Sequence, residues 1–221
     1  MISHSDLARA LFAPRGVALV GASSDPSKTS ARPLRYLQKH GYSGAIYPVN
    51  PGAQEIAGQP CFADLKSLPG PADQAFIMLP SKAIAAAVRD CAEVGIGCAT
   101  ILSGGFAETG EAGRERQEAL LEVARAAGVR LLGPNSIGVI NTATGLTLSA
   151  NAMLELPQLQ AGRTAVISQS GSIIGALLSH GEARKTGYSK LISVGNEADL
   201  TVGEIGALLV DDDETDVILL F

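Results

Sequence analysis

The sequence predicts an α/β protein built on an open parallel sheet, and three observations carry that prediction. Short apolar runs, several with β-branched residues, each stop at Gly, Pro, Ser or Asn, as buried parallel strands do. They alternate with segments of helical periodicity closed by glycine. Residues 15–51 read as strand, glycine loop, helix, strand, a right-handed βαβ unit that places its loop at the carboxyl end of the sheet.

Taken in order, residues 6–11 read as a short amphipathic helix, with Phe12 and Pro14 leading into a strand over 16–20 that breaks at Gly21. A small polar loop follows over 22–29. A helix marked by Leu34, Tyr36 and Leu37 then ends at Gly41, and a second strand over 45–49 stops at Asn50-Pro51. Residues 52–69 are punctuated by Gly and Pro, with a strand-like piece at Cys61-Phe62 and a helical turn over 64–68. Next come a strand over 73–79, an Ala-rich helix over 82–94 closed by Gly95, and a strand over 97–102 running into Ser103-Gly104-Gly105. A charged helix over 111–127 is closed by Gly128, and a short strand over 129–132 enters Gly133-Pro134-Asn135-Ser136.

Residues 141–162 have weak periodicity and several turn residues, so a linker is expected there. A second set of elements follows: a strand over 164–167, a tight turn at Gln169-Ser170-Gly171, a helix over 173–186, a strand over 190–194, a helix over 202–210 and a strand from 216. The expected division is a first domain over 1–142, a linker over 143–162 and a second domain over 163–221. The sequence stops inside the apolar run ILLF, so the second domain is expected to be incomplete and the chain a piece of a longer protein. An exposed apolar edge of that kind tends to pair, which leaves a homo-oligomer open.

Composition narrows the function. The net charge of −5 and the absence of any Lys/Arg cluster argue against nucleic acid as a partner. No apolar run approaches the ~20 residues of a membrane span, and the amino terminus has no signal-peptide core. Cys61, Cys91 and Cys98 lack a CxxC spacing and read as reduced core thiols of a cytoplasmic protein. Glu93, Glu108 and Glu111 read as solvated helix charges. The acidic run from Asp211 to Glu214 reads as a solvated turn, with Mg²⁺ binding as the alternative.

Two loops carry candidate chemistry. A dinucleotide fingerprint needs a second glycine after Gly21 and an acidic residue at the end of the second strand; here the residues are Ala22-Ser23-Ser24-Asp25 and Asn50. Both departures count against NAD. The loop is instead rich in hydroxyls (Ser23, Ser24, Ser27, Thr29, Ser30) and carries Lys28, which suits a phosphate-bearing ligand; the plain alternative is that these residues cap the next helix. The turn Ser168-Gln169-Ser170-Gly171 precedes a long helix, whose first N–H groups can hold a phosphate or simply receive a cap. It lacks the earlier glycine of a hydrolase elbow.

The segments VALVGAS (17–23), YPVNP (47–51), MLPSK (78–82), ILSGGFAE (101–108), LLGPNSIGVIN (131–141), AVISQSGSIIG (165–175) and GNEADL (195–200) occur in an order that resembles the NDP-forming acyl-CoA synthetases. That family includes the succinyl-CoA synthetase α subunit, and the likeness is strongest to its ADP-forming acetyl-CoA synthetase branch. The resemblance implies a Rossmann-like CoA-binding domain followed by a flavodoxin-like succinyl-CoA-synthetase-type domain.

It further implies that Gly21, Ser23, Ser24, Asp25 and Pro26 face the ADP end of CoA, with Asn50 contacting the cofactor from the second strand. Pro80, Ser81, Ser103 and Gly104 would border the pantetheine path, and Asn135 would lie where the thiol end nears the second domain. Ser168, Gln169, Ser170 and Gly171 would form the helix terminus that stabilises a phosphohistidine, with Glu197 and Asp199 given a minor part in substrate positioning. One departure is Gly52-Ala53-Gln54, where the α subunit has a lysine. None of His4, His40 and His180 has the context of the phosphorylated histidine, so that residue is expected beyond this chain. A small carboxylic acid, ATP/ADP, Mg²⁺ and an ATP-grasp domain or subunit would belong to the full-length enzyme, this piece alone binding without turnover. Gly175 indicates only that space for an acyl group is available. The alternatives are a CoA- or acyl-CoA-sensing module of a protein acetyltransferase and, third, an NAD-binding oxidoreductase domain.

Overall fold

The computed structural model describes residues 2–221. Helix α1 (His4–Phe12) starts at Ser3, whose side chain accepts the Asp6 N–H. Strand β1 (Gly16–Val20) leads through the polar loop to α2 (Arg32–Lys39), which carries Pro33 in its first turn. Then come β2 (Ala45–Val49), a small hairpin of β3 (Glu55–Ile56) and β4 (Gln59–Pro60), and β5 (Gln74–Ile77). Helix α3 (Ser81–Glu93), β6 (Cys98–Ile101), α4 (Glu111–Ala127) and β7 (Arg130–Leu132) complete the first half. Helix α4 stops at Gly128, which takes the left-handed conformation at φ 71°.

The second half comprises β8 (Gly138–Asn141), β9 (Leu146–Ser149), β10 (Thr164–Ser168), α5 (Gly171–Arg184), β11 (Lys190–Ser193), α6 (Val202–Val210) and β12 (Val217–Leu220). Helix α5 ends two residues before the expected Thr186, because Lys185 turns left-handed at φ 56°. Helix α6 opens with a capping box between Thr201 and Glu204.

The first sheet is fully parallel in the order β2-β1-β5-β6-β7, so the chain reverses direction across the sheet at β1. The crevice outside the carboxyl ends at such a reversal is where ligands of open α/β sheets bind. The second sheet has the order β12-β10-β11-β8-β9 and is mixed, with β8 antiparallel to both β11 and β9. Residues 146–149, read from their weak periodicity as part of a linker, form the edge strand of this sheet. Thr147 and Ser149 are as buried as Leu146 and Leu148, so the strand presents polar residues to the interior and its apolar signal is halved. The intervening turn works only with glycine: Gly145 sits at φ 67°, and a Cβ there would meet the His40 carbonyl oxygen at 2.4 Å.

Helices α3 and α4 cover one face of the first sheet. Its other face shares a continuous core with the second sheet, to which α1, α2 and α6 contribute Leu11, Leu34, Leu37 and Ile205. Helix α5 covers the far face of the second sheet. Across the shared core, the Asn141 side chain donates to the Phe12 carbonyl at 2.9 Å, and the His40 ring contacts the Leu154 carbonyl at 2.9 Å. Strand β12 is exposed, with Val217, Leu219, Leu220 and Phe221 open to solvent. No helix among the described residues is long and apolar enough to cross a membrane.

Candidate functional site

Gly21 sets the first part of the site. At φ +86° it turns the chain out of β1, and a Cβ there would lie 2.9 Å from Leu79 Cδ2 and 3.0 Å from the Met78 carbonyl oxygen. Only glycine passes so close to the end of β5. Beside it opens a cleft of about 500 Å³, floored by Val20, Val49, Leu65, Met78 and Ala87, with the carboxylates of Asp64 and Asp90 along it. An apolar slot with a few polar groups suits a flat heterocycle.

The following loop is held by its own side chains. Ser23 Oγ accepts the Asp25 N–H at 3.1 Å, and the Asp25 carboxylate accepts the N–H and hydroxyl of Ser27 at 3.0 and 2.7 Å. Those Ser27 bonds, with Lys28 nearby, hold the Asp25 carboxyl below its usual range. Ser24, Asp25 and Pro26 are exposed at the rim. Asn50 is bonded on both sides: its Nδ2 donates to the Ala22 carbonyl at 2.8 Å and its Oδ1 accepts the Gly52 N–H at 2.8 Å. It clamps the β1 loop to the turn after β2.

The remaining residues expected on this edge collect at the ends of β5, β6 and β7. Pro80 is exposed ahead of α3 and Ser81 begins the helix. Ser103 Oγ donates to the Leu79 carbonyl at 2.5 Å, Gly104 is exposed, and the Asn135 N–H donates to the Ser103 carbonyl at 3.0 Å. Asn135 is itself exposed and left-handed at φ 57°.

The second sheet presents its own carboxyl-end loops. Ser168 closes β10 and accepts the Ser170 N–H at 3.0 Å; Gln169 is exposed. Gly171 lies so close to Ile137 that a Cβ would sit 2.7 Å from Cγ2. Ser170, at the N-cap of α5, makes no side-chain cap bond, so the first turn of this helix keeps its donors and positive dipole end for another partner. Gln169 Nε2 donates to the Glu197 carboxylate, which also accepts the Val202 N–H at 2.6 Å. Asp199, expected beside Glu197, turns away: it pairs with Arg130 Nε at 2.9 Å and accepts the Leu131 N–H at 2.8 Å.

The two sets of loops meet along a seam. Asn196, Ala198 and Leu200 donate their N–H groups to the carbonyls of Pro134, Gly133 and Leu131, at 2.9, 3.1 and 3.1 Å. Sequence reasoning missed the side chains that cross it. Glu108, read as a solvated charge, accepts from the Asn196 Nδ2 at 2.5 Å, and Gln117 Oε1 accepts from the same nitrogen at 3.1 Å. Its position one residue after the GFA segment was the available signal, overridden by its place at a helix start. Likewise Asp212 and Glu214 are more than a solvated turn, since they neutralise the buried Lys190.

None of the three histidines reaches the α5 terminus. His4 is in α1, His40 faces Leu154, and exposed His180 pairs through Nδ1 with Arg184 at 2.6 Å. Cys91 and Cys98 are buried, which pushes both thiols up to about 12. Among the described residues, no three His, Cys, Asp or Glu side chains are grouped to hold a metal ion.

Comparison with known proteins aligns with this layout. The CoA-binding domain family matches residues 15–142, and the succinyl-CoA ligase-like flavodoxin domain matches residues 161–221. The chain is 37% identical over 211 residues to acetate–CoA ligase [ADP-forming] I of Archaeoglobus fulgidus, covering 96% of this chain and 30% of that protein. It is 36% identical to the α subunit of acetate–CoA ligase [ADP-forming] II of Pyrococcus furiosus, covering 95% and 45%. The solved acetyl-coenzyme A synthetase 1 of Ca. Korarchaeum cryptofilum, in complex with phosphate and ADP, superposes with a TM-score of 0.90 at 34% identity, covering 97% of this chain and 45% of that one. The chain thus spans less than half the length of each of these relatives.

Proposed function

The chain belongs to the CoA-binding domain family, and from that premise we propose that it is the CoA-binding part of an ADP-forming acyl-CoA synthetase. The whole enzyme would interconvert acyl-CoA, ADP and phosphate with the free acid, CoA and ATP, through an acyl phosphate and a phosphohistidine. What supports this most is the convergence of two different loop sets: a glycine-turned cleft on the first sheet and an uncapped helix terminus on the second, joined at the seam where the Asn196 N–H meets the Pro134 carbonyl.

The residues fit CoA. The cleft beside Gly21 takes the adenine ring, and the Ser23–Pro26 rim and Lys28 face the phosphates. Asn50 lines the same cleft and shapes the rim through its bond to the Ala22 carbonyl. Ser81, Ser103, Gly104 and Asn135 line the route of the pantetheine arm toward the seam. CoA supplies the thiol that receives the acyl group. The first turn of α5, reached from Ser170 and Gly171, supplies fixed donors to a phosphoryl group, the kind of stabilisation that phosphoryl transfer relies on. The relay histidine, the small carboxylic acid site, ADP/ATP with Mg²⁺ and the ATP-grasp unit are supplied from outside these residues, in a cytoplasmic setting.

The test is calorimetric titration of the 221-residue chain with CoA, NAD⁺ and ATP in parallel. Binding of CoA alone is expected. Binding of NAD⁺ without CoA would sink the proposal.

A further inference from the structure

We infer that Glu108 is a positioning residue for the thiol end of CoA, fastening the loop that carries Ser103 and Gly104 to the Asn196 loop of the second sheet. The inference rests on the CoA reading above. Glu108 is exposed ahead of α4, but its carboxylate folds back onto the loop. Its Oε1 accepts the N–H groups of Gly105 and Phe106 at 2.5 and 3.1 Å, and its Oε2 accepts Asn196 Nδ2 at 2.5 Å. Three neutral donors from two sheets thus converge on one carboxylate, and bonds to an ionised acceptor are about twice as strong as neutral ones.

Two glycines make the arrangement possible. A Cβ on Gly104 would stand 2.8 Å from Glu108 Oε1, so the carboxylate takes the room a side chain would fill. Gly105, at φ +93°, directs its N–H at the carboxylate. Without Glu108, the Gly105 and Phe106 N–H groups lose their side-chain acceptor and Arg116 on the Gly105 carbonyl is left to hold the double-glycine turn, where glycine carries the largest backbone freedom to be lost on ordering. Burial works against the carboxylate charge, but the bonds from Asn196, Gly105 and Phe106 outweigh it and hold the carboxyl below its usual range.

The effect is local to one end of the ligand. Strand β6, which feeds this loop, is separated from β1 by β5, so the two strands are two spacings, about 10 Å, apart, and Glu108 does not line the Gly21 cleft. Adenosine 3′,5′-bisphosphate, which lacks the pantetheine arm, serves as a probe that ends before the Glu108 loop.

The experiment is calorimetric titration of the 221-residue chain with CoA and with adenosine 3′,5′-bisphosphate, for the unchanged protein, Glu108→Gln, Asn196→Asp and the double variant. Glu108→Gln is isosteric and keeps an acceptor for the loop amides, but sets an NH₂ against Asn196 Nδ2. CoA affinity is expected to fall about tenfold, the worth of one charge-assisted bond, with the bisphosphate affinity within about twofold. Asn196→Asp alone sets carboxylate against carboxylate and should weaken CoA similarly. The double variant exchanges donor and acceptor between positions 108 and 196 and should recover part of the loss, since Gln117 Oε1 still lacks its Nδ2 donor. Equal losses for CoA and the bisphosphate, an unchanged CoA affinity in Glu108→Gln, or no recovery in the double variant would each overturn the inference while leaving the CoA site standing. Failure of the unchanged protein to bind either compound would overturn the CoA reading itself, and this inference with it.

Discussion

Asp73 receives three bonds from a single residue: the Arg15 backbone N–H at 2.7 Å, its Nε at 2.9 Å and its Nη2 at 2.5 Å. The fork ties the residue before β1 to the residue before β5, at the amino-terminal edge of the first sheet. Arg15 hydrogen bonds lower the Asp73 carboxyl below its usual range, against a smaller opposing effect of burial. A folded value below the unfolded value of about 3.9 means the stabilisation is whole above that pH and is lost as pH falls through the folded value. Comparing urea denaturation of Asp73→Asn with the unchanged protein, the stability difference should be constant above about pH 5 and shrink below about pH 4. A difference that grows on acidification would contradict this.

The loop before β12 depends on an internal charge. Lys190, 2% exposed, lies 2.6 Å from Asp212, which also accepts the Thr215 hydroxyl, and 3.2 Å from the half-exposed Glu214. Asp212→Ala leaves the buried ammonium with one weak partner and should cost about 3 kcal/mol. Glu214→Ala should cost under about 1 kcal/mol, as a solvated ion pair does. Equal losses in chemical denaturation would show that the two carboxylates share the ammonium evenly.

Gly21 couples fold to site. Gly21→Ala puts a methyl against Leu79 and the Met78 carbonyl in a left-handed residue, a strain of about 2 kcal/mol. The thermal midpoint should fall, and CoA affinity should fall further than the midpoint shift alone predicts, because the cleft wall moves. A variant that binds CoA normally would show that this turn does not shape the site.

The rim can be separated from the clamp. Ser23→Glu adds charge where the phosphates are proposed to lie; CoA binding should weaken about tenfold with the thermal midpoint nearly unchanged. Asn50→Asp also removes the donor to the Ala22 carbonyl, leaving two oxygens facing each other, so it should lower both affinity and midpoint. The two variants are distinguished by pairing each titration with a melting curve.

Much of this was legible in the residues because the signals were local. Gly110 and Gly128 bracket α4, and the apolar run 16–20 ends at a glycine, so boundaries there follow from backbone chemistry. The hairpin of β8 and β9 was not legible, since the burial of Thr147 and Ser149 depends on α2 lying across them, a contact about 110 residues distant in sequence. The clefts' small residues were readable, but Glu108 was not: its partner Asn196 is 88 positions away, and nothing local distinguishes a carboxylate that folds back from one that is solvated. Asn50 was singled out from the strand end alone; that it lines the cleft beside Gly21 and also clamps the two loops could not be read there.

The core that the two sheets share has a consequence for how the chain melts. Strand β8 falls inside the segment matched by the CoA-binding domain family, but its hydrogen bonds run to β11 and β9, and Asn141 holds the end of α1. The evolutionary boundary and the cooperative boundary therefore differ. Heating should give one calorimetric transition with equal calorimetric and van't Hoff enthalpies, where two independent domains would give two. A chain ended at residue 142 should lose structure well upstream of the cut, because Leu11, Leu34 and Leu37 would be stripped of the neighbours that keep them dry.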